Sequence, residues 1–168
     1  TNKKSALIKD VIEAVGATDL KIERFLDWQV FQTHQYNGHV PVSAIYAFLG
    51  IFSAVLYQYR YVVVGNEHSS NFGNVNYRGL KVNHQWSKSL EFEMAFQNYV
   101  KNFITSDVTY FSLLRRFYEI RIVELFSQYK KYFPLFSSCN ANFKIEKSTA
   151  GWCGICAKCV FGFILLGS

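Results

Sequence analysis

Residues 62–74 read VVVGNEHSSNFGN: three valines and a glycine lead directly into a loop of amides, with a glutamate and a histidine among them. With Tyr61 before it, the valine run predicts a strand over 61–65 that is apolar on both faces, as parallel sheets require. In open α/β sheets, ligands bind beyond the carboxyl ends of the strands. The stretch therefore predicts a buried strand and, directly after it, a ligand site.

The upstream pattern extends this prediction to an α/β fold. Apolar residues at helical spacing predict a helix over 4–16, with Gly16 just past its end. Alternating apolar residues predict a short strand over 19–27, and a strongly apolar run predicts a helix over 43–58. The order helix, strand, helix, strand is typical of a parallel sheet joined by right-handed crossovers.

Downstream, the chain is predicted to be mainly helical after one long loop. No apolar period occurs over 66–85, which we interpret as a functional loop. Amphipathic helices are predicted over 87–104 and 112–133, the second with a break near Ile120. The last third of the chain carries the cysteines and closes with an apolar strand or helix.

All four cysteines form two overlapping CxxC steps preceded by one distant sulfur: Cys139, Cys153, Cys156 and Cys159. Four sulfurs can surround zinc as a tetrahedron without an open coordination position, so this spacing predicts a structural zinc ion. Gly151 and Gly154 supply the backbone angles that such a turn needs. An iron–sulfur cluster, two disulfides and free thiols are the alternatives. We assign residues 136–168 to this zinc-binding segment and residues 1–135 to the α/β domain.

Composition indicates a folded domain with a modest positive charge. Half of the 168 residues are apolar and 18% are aromatic, which excludes a disordered chain. The formal net charge of +6 favours anionic partners. Four thiolates and one divalent cation together add −2 and lower the charge to +4, so nucleic acid is not a favoured partner.

The apolar segment 42–58 raises the question of a membrane span. It is slightly short for a bilayer and runs into the strand over 61–65, so a core helix is the better interpretation. The chain does not open with the basic, apolar and small-residue pattern of a secretory signal. We expect a cytoplasmic protein that does not contact a membrane.

A second polar stretch, VNHQWSKSLEFE over 82–93, opens the helix predicted at 87–104. Ser87 or Ser89 would cap that helix, and the amides of its first turn would face an anion. The candidate ligand-binding side chains of the two stretches are Asn66, Glu67, His68, Asn71, Asn74, Asn83, His84, Gln85, Lys88, Ser89, Glu91 and Glu93. Each also has a structural reading, since asparagine and glycine favour turns and glutamates complement a helix dipole.

The chemistry of these side chains suits an anionic substrate. Glu67 or His84 could move protons, and Lys88 could neutralise a phosphate or carboxylate. The asparagines could bind hydroxyl or amide groups. An acidic residue of the loop could alternatively hold Mg²⁺.

The motifs resemble a known enzyme superfamily. The run SSC…WCGICAKC is similar to the zinc knuckle of 7-cyano-7-deazaguanine synthase, a member of the PP-loop ATP pyrophosphatases. The stretches NGHVP (37–41), GNEHSSNFGN (65–74) and VNHQWSKSLEFE more closely resemble the UDP-N-acetylmuramoyl-L-alanyl-L-glutamate epimerases of peptidoglycan precursor synthesis, in their C-terminal catalytic part. The resemblance covers roughly residues 20–165.

This resemblance implies a parallel-sheet nucleotide-hydrolase fold that uses ATP and Mg²⁺ to adenylate a carboxylate and releases pyrophosphate. Activation of the terminal glutamate would acidify its α-hydrogen, so that one group removes the proton and another returns it on the opposite face. The implied catalytic residues are His84, Glu67 and Lys88, with His84 as the first candidate for the base. The implied substrate-binding residues are Asn37, His39, Asn66, His68, Asn71, Asn74, Asn83, Gln85, Ser89 and Glu91.

One departure from the superfamily concerns the phosphate loop. No Ser-Gly-Gly-x-Asp-Ser sequence occurs in these 168 residues. We expect the first strand and the phosphate loop to precede Thr1, and the chain to be inactive alone; loss of ATP chemistry is the alternative.

Three further hypotheses stay open. A sister enzyme modifying a nucleobase or tRNA would stack its base on Trp86 or Phe72. A zinc-containing module could bind nucleic acid, although only Lys158 interrupts the cysteine run with a positive charge. The sequence is also compatible with a homo-oligomer.

Overall fold

The computed structural model describes residues 3–23, 25, 41–73, 75–143 and 151–167. They form two compact units, one of residues 27–119 and one of residues 1–26 together with 120–168. The helices are α1 (Lys3–Val15), α2 (Val42–Leu56), α3 (Leu90–Phe103), α4 (Glu119–Ser127) and α5 (Ala157–Gly167). The strands are β1 (Tyr61–Val64), β2 (Val75–Tyr77), β3 (Leu80–Val82) and β4 (Thr109–Ser112).

A two-stranded parallel sheet organises the unit of residues 27–119. Strand β1 pairs with β4 in parallel, from Tyr61 opposite Thr109 to Val64 opposite Ser112. Helix α3 lies between these strands in the sequence and forms the crossover that a parallel pair requires. The carboxyl ends of both strands consequently lie at the same edge.

Helices α2 and α3 cover one face of this sheet. The buried core consists of Ala47, Ile51, Ala54, Phe92, Phe96, Val100, Val108 and Tyr110, with Val62 and Val64 packed against it. Phe96 makes three aromatic contacts: it is stacked on Phe92 at 5.4 Å and edge-on to Tyr110 at 5.0 Å and to Phe48 at 4.8 Å. Such pairs add to the hydrophobic gain of burial.

Gly50 sets the distance between α2 and the sheet. A Cβ atom at this position would lie 2.8 Å from Cγ1 of Val62, which is closer than packed carbon atoms approach. The missing side chain therefore lets the helix backbone rest directly on β1.

The predicted helices over 4–16, 43–58 and 87–104 are confirmed as α1, α2 and α3. Gly16 follows α1 with a φ of 71°, the left-handed conformation expected after a helix end. The strand over 61–65 is confirmed as β1.

Strand β1 is apolar on both faces, but the prediction that both faces are buried is wrong. On one face of the strand, Tyr61 is 65% exposed and Val63 is 51% exposed. The reason is that the described helices of this unit, α2 and α3, pack against the side that carries Val62 and Val64.

Two other assignments need correction. The described residues 19–23 and Phe25 are irregular rather than a strand. The helix predicted over 112–133, with a break near Ile120, is replaced by the end of β4, a turn, α4 from Glu119 and a 3₁₀ helix at Lys130–Leu135. Thr109 to Phe111 favour a strand because their branched and aromatic side chains suit a pleated sheet.

The loop predicted over 66–85 contains regular structure. Strands β2 and β3 form an antiparallel hairpin whose turn residues, Arg78 and Gly79, have φ values of 49° and 78°. Two positive φ angles define the type I′ turn that matches the twist of short hairpins. Short 3₁₀ helices occur at His68–Asn71 and Trp86–Lys88.

The unit of residues 1–26 and 120–168 has its own cluster of partly buried aromatic side chains. Phe126 contacts Phe136 edge-on at 4.7 Å, and Phe136 contacts Trp152 at 5.2 Å. The apolar C-terminal end is a helix, α5, rather than a strand. Among the described residues, no helix combines the length and apolar character needed to cross a membrane.

Candidate functional site

The two predicted polar stretches meet beyond the carboxyl end of β1. The hydroxyl of Ser70 lies 2.7 Å from the carbonyl oxygen of Glu67 and 3.0 Å from that of Lys88. Asn83 donates through Nδ2 to the carbonyl oxygen of Ser70 at 2.9 Å. Asn71 Oδ1 accepts a hydrogen bond of 2.7 Å from the amide of Leu90. Side chains of the first stretch thus bind the backbone of the second, and a side chain of the second stretch binds the backbone of the first.

A buried ion pair lies where these stretches join. Arg115 is 8% exposed and Glu93 is 6% exposed. Arg115 donates through Nε and Nη2 to the same carboxylate oxygen, Glu93 Oε2, at 3.2 and 2.9 Å. Because the charges are paired and hydrogen-bonded, the interior can hold both.

The remaining donors of Arg115 bind both polar stretches. Nη1 lies 3.2 Å from the carbonyl oxygen of Glu67, 3.0 Å from Ser70 Oγ and 3.3 Å from Asn71 Oδ1. Nη2 donates to the carbonyl oxygen of Lys88 at 2.8 Å. Arg115 therefore joins the residues that follow β1 to those that precede α3.

Sequence reasoning missed Arg115 because it assigned the residue to an amphipathic helix. A signal was present at Glu93, which lies at helical spacing with Phe96 and Val100 on the core side of α3. A carboxylate on an apolar helix face needs a buried cation. That requirement points to an arginine without saying which one.

Ser112, the last residue of β4, links the carboxyl ends of β4 and β1 next to this site. Its hydroxyl lies 3.2 Å from the carbonyl oxygen of Val64 and 2.6 Å from that of Asn66. Burial raises the pKa of the nearby Tyr110 hydroxyl, and the charge of Glu93 adds to the effect. The phenol therefore stays neutral at physiological pH.

The start of α3 is capped by the protein itself. Ser89 Oγ accepts from the amide of Phe92 at 3.2 Å, which confirms the cap predicted at Ser89. The amide of Leu90 is bound by Asn71. Neither of these two first-turn amides is free to bind an anion, contrary to expectation.

A second group of polar side chains surrounds Ser69. Its hydroxyl donates to Glu119 Oε1 at 2.5 Å and lies 3.4 Å from Glu67 Oε1. The ring of His68 lies 4.6 Å from that of Tyr118 and 5.5 Å from that of Phe72. Glu119 was not predicted, because its contact with Ser69 joins residues fifty positions apart.

The other predicted site residues differ in their surroundings. His84 is exposed, with its Nε2 3.4 Å from Nε2 of Gln85. Glu91 is exposed on α3, and Lys88 is half-buried. The predicted positions that lie outside the described residues are Asn37, His39 and Asn74.

The four cysteines converge in the second unit. Their sulfur atoms all lie within 4.8 Å of one another, with Cys139–Cys156 at 3.9 Å and Cys153–Cys159 at 3.8 Å. A tetrahedral zinc ion with bonds of about 2.3 Å would place sulfurs about 3.8 Å apart. All four are free thiols in the structure, so it gives no support to the disulfide alternative. The sulfur positions thus fit a four-thiolate metal site.

The surroundings of two sulfurs favour the thiolate, which is the form that binds metals. Backbone N–H groups of Asn140 and Cys159 lower the pKa of Cys156 to about 6. Burial opposes ionisation of Cys139, but N–H donors led by that of Cys153 still lower its pKa. Burial raises the pKa of Cys159 to about 11, and the neighbouring thiols add to this effect.

The predicted glycine geometry in the cysteine segment is confirmed. Gly151 has a φ of 98° and Gly154 a φ of 78°, both in the left-handed region. Residues with a side chain rarely adopt these angles, so glycine is the residue that fits the turn.

Comparison with known protein families shows which family the chain belongs to. The profile of the MurL N-terminal domain matches residues 1–113, and that of the MurL C-terminal domain matches residues 135–168. This chain belongs to the MurL family. The two polar stretches lie within the first match, Arg115 lies two residues beyond its end, and the cysteines lie within the second match. The first match differs from the expectation of a C-terminal part only.

Members of the MurL family with curated names are similar along nearly the whole chain. The UDP-N-acetyl-alpha-D-muramoyl-L-alanyl-L-glutamate epimerase of Xanthomonas oryzae pv. oryzae is 38% identical in an alignment of 167 positions that covers 96% of this chain and 37% of that protein. The protein of the same name from Micromonospora sp. is 36% identical in an alignment of 163 positions that covers 95% of this chain and 36% of that protein. The chain thus spans a little over a third of the length of these relatives. No solved structure matches it.

Proposed function

We propose that this chain is part of an ATP-dependent epimerase that inverts the terminal glutamate of UDP-N-acetylmuramoyl-L-alanyl-L-glutamate in peptidoglycan precursor synthesis. The observation that carries this proposal is the similarity of 96% of the chain to a protein named as the epimerase of this nucleotide. The dependence on ATP is part of the proposal. The paired polar stretches support it, since they offer proton-transfer and charge-neutralising groups at one end of a parallel sheet.

Activation of the substrate carboxylate is the first step of the proposed reaction. A carboxylate oxygen attacks the α-phosphorus of ATP, pyrophosphate leaves, and an acyl adenylate forms. The described residues do not fit the phosphates of ATP, because they contain no glycine-rich phosphate loop and two first-turn amides of α3 are already bonded. We therefore place the binding of ATP and Mg²⁺ outside these residues.

Inversion at the α-carbon is the step we assign to this chain. Once the carboxylate charge is removed, the α-hydrogen becomes more acidic, and His84 or Glu67 takes the proton. A protonated group on the other face returns one, and water then cleaves the adenylate to release AMP. Lys88 contributes positive charge towards the acidic substrate.

Zinc in the cysteine cluster is proposed to be structural. Four sulfur ligands leave no position for a substrate, so the ion would hold Cys139 to the turn at 153–159. We also propose a cytoplasmic location, because cysteines remain thiols in a reducing compartment.

The alternative of a nucleobase or tRNA substrate has less support. Trp86, a proposed stacking platform, already packs edge-on against Phe92 with ring centres 5.3 Å apart. Its exposed fraction of 45% is therefore compatible with simple packing at the edge of the core.

The test uses the complete gene product with UDP-N-acetylmuramoyl-L-alanyl-L-glutamate and ATP in deuterated water. We expect D-glutamate after hydrolysis, one α-deuterium in the inverted product, and release of AMP and pyrophosphate. The same nucleotide ending in L-alanyl-L-alanine is the control, and it should not turn over. ADP as the product would contradict adenylation, and unchanged L-glutamate would contradict the epimerase assignment.

A further inference from the structure

We propose that Arg115 is the positioning residue of this site: it holds the backbone of Glu67 and Lys88 and thereby fixes the separation of their side chains. This inference rests on the proposed function, in which both side chains act on the substrate. Arg115 itself is buried and neutralised by Glu93, so it acts through these residues and does not touch the substrate.

The distribution of donors on Arg115 carries the argument. A guanidinium has five N–H donors in a fixed plane. Nε and one proton of Nη2 suffice for Glu93 Oε2. The other proton of Nη2 goes to the carbonyl oxygen of Lys88 at 2.8 Å. This buried donor is therefore satisfied by the backbone of the second polar stretch rather than by Glu93.

The two protons of Nη1 are directed entirely to the first polar stretch. Their acceptors are the carbonyl oxygen of Glu67 at 3.2 Å, Ser70 Oγ at 3.0 Å and Asn71 Oδ1 at 3.3 Å. Since the guanidinium is rigid, contacts on its two ends fix the distance between the stretches. Ser70 completes the link, because its hydroxyl lies near the same two carbonyl oxygens.

The position of the bonded carbonyls explains why geometry at this point matters. Glu67 follows β1 and precedes a short 3₁₀ helix, and Lys88 ends another short 3₁₀ helix before α3. Neither residue lies within a long helix or strand. A displacement of about 1 Å in a reacting group can lower turnover on the order of a hundredfold.

The experiment separates positioning from stability with a double variant of the complete gene product. Arg115→Met alone should unfold the site, because Glu93 would remain buried without a partner. Arg115→Met combined with Glu93→Leu replaces the whole pair with apolar side chains, and it should restore the melting temperature to near that of the unmodified protein. The contacts to Glu67 and Lys88 remain lost.

We expect the folded double variant to show kcat lowered at least about thirtyfold, with KM for the nucleotide substrate changed less than about threefold. Arg115→Lys, which keeps the charge but not the fork, should show a similar loss of kcat. The matched control is Arg116→Met, since Arg116 is the exposed neighbour. It should retain full activity.

Hydrogen–deuterium exchange gives a readout that does not depend on the substrate. In the double variant, amides of residues 67–71 and 86–90 should exchange faster, while those of α2 keep their protection. Recovery of both melting temperature and kcat, or unchanged exchange in these segments, would overturn the inference. If the unmodified protein does not epimerise the substrate, the proposed function fails, and the exchange result alone then supports or overturns the positioning role.

Discussion

Glu93 is a charged residue within a core that is otherwise apolar. Its neighbours on the core side of α3 include Phe92 and Phe96, and its carboxylate is bonded by Arg115. The pair is poorly exposed, at 10% and 9% of the two side chains, so solvent screens it little. Replacing either Arg115 or Glu93 alone consequently leaves the other residue buried with an unpaired charge.

Glu93→Gln should therefore lower the free energy of unfolding by about 3–5 kcal/mol, because the Arg115 charge stays buried without its counter-charge. Glu91→Gln is the control on the same helix turn, and its exposed side chain should change stability by less than about 0.5 kcal/mol. Urea unfolding followed by circular dichroism measures both. Equal effects of the two changes would contradict the buried-pair account.

Gly50 allows close packing of α2 on β1 because it has no side chain. Gly50→Ala places Cβ 2.8 Å from Val62 Cγ1, and we expect overpacking to cost about 1–3 kcal/mol against a helix-propensity gain of about 1 kcal/mol. In a Val62→Ala background the clash disappears, so the same change should become neutral or stabilising. Thermal unfolding of the four-member cycle gives the coupling, and purely additive effects would disprove the contact.

At the level of elements, the start of α3 depends on side chains from two segments. Ser89 bonds the amide of Phe92 from within the helix cap, and Asn71 bonds the amide of Leu90 from the other polar stretch. The helix start is thus coupled to the residues that follow β1.

Ser89→Ala should cost about 1 kcal/mol, the usual value of a lost N-cap. Asn71→Ala should cost about the same, because it removes the acceptor of the exposed Leu90 amide, which water can partly replace, and one of several contacts of Arg115. Ser87→Ala is the control, since Ser87 does not cap α3. Chemical denaturation would contradict this ranking if Ser87→Ala were as harmful as the other two.

Periodicity located the long helices, but pairing across the chain limited the rest of the prediction. Strand β4 was hidden because Thr109–Ser112 runs into apolar residues that also fit a helix, and its partner lies forty-eight positions away. The hairpin at 75–82 was missed because its Arg-Gly turn lacks the usual Asn-Gly signal. Arg115 could not be found from spacing, because its acceptors lie 22 to 48 positions away in two other stretches of the chain. The cysteine cluster could be found, because its spacing is visible in the sequence.

At the level of the whole molecule, the two units should respond differently to removal of metal. The core of residues 27–119 contains no cysteine, whereas Cys139 and Cys159 are buried in the other unit. Chelation should unfold the cysteine-bearing segment and leave the β1–β4 unit intact, because structural zinc contributes directly to folding.

Elemental analysis should give one zinc per chain, and a chelator at neutral pH should abolish protection of α5 amides but not those of α3. Acidification should have the same effect, since protons compete with the metal for the thiolates. Cys139→Ser should reproduce the loss without chelator. Unfolding of both units together, or iron in place of zinc, would contradict this prediction.

The arrangement of the sulfurs has a consequence for a chain that has been cut. One ligand, Cys139, precedes residues 144–150, and the other three follow them. If the backbone were cleaved in that interval, a bound ion would still link the two fragments through its four sulfur ligands. Both fragments would then elute as one species on a sizing column. Adding a chelator should then release a short C-terminal peptide, and its mass would show where the protease had acted.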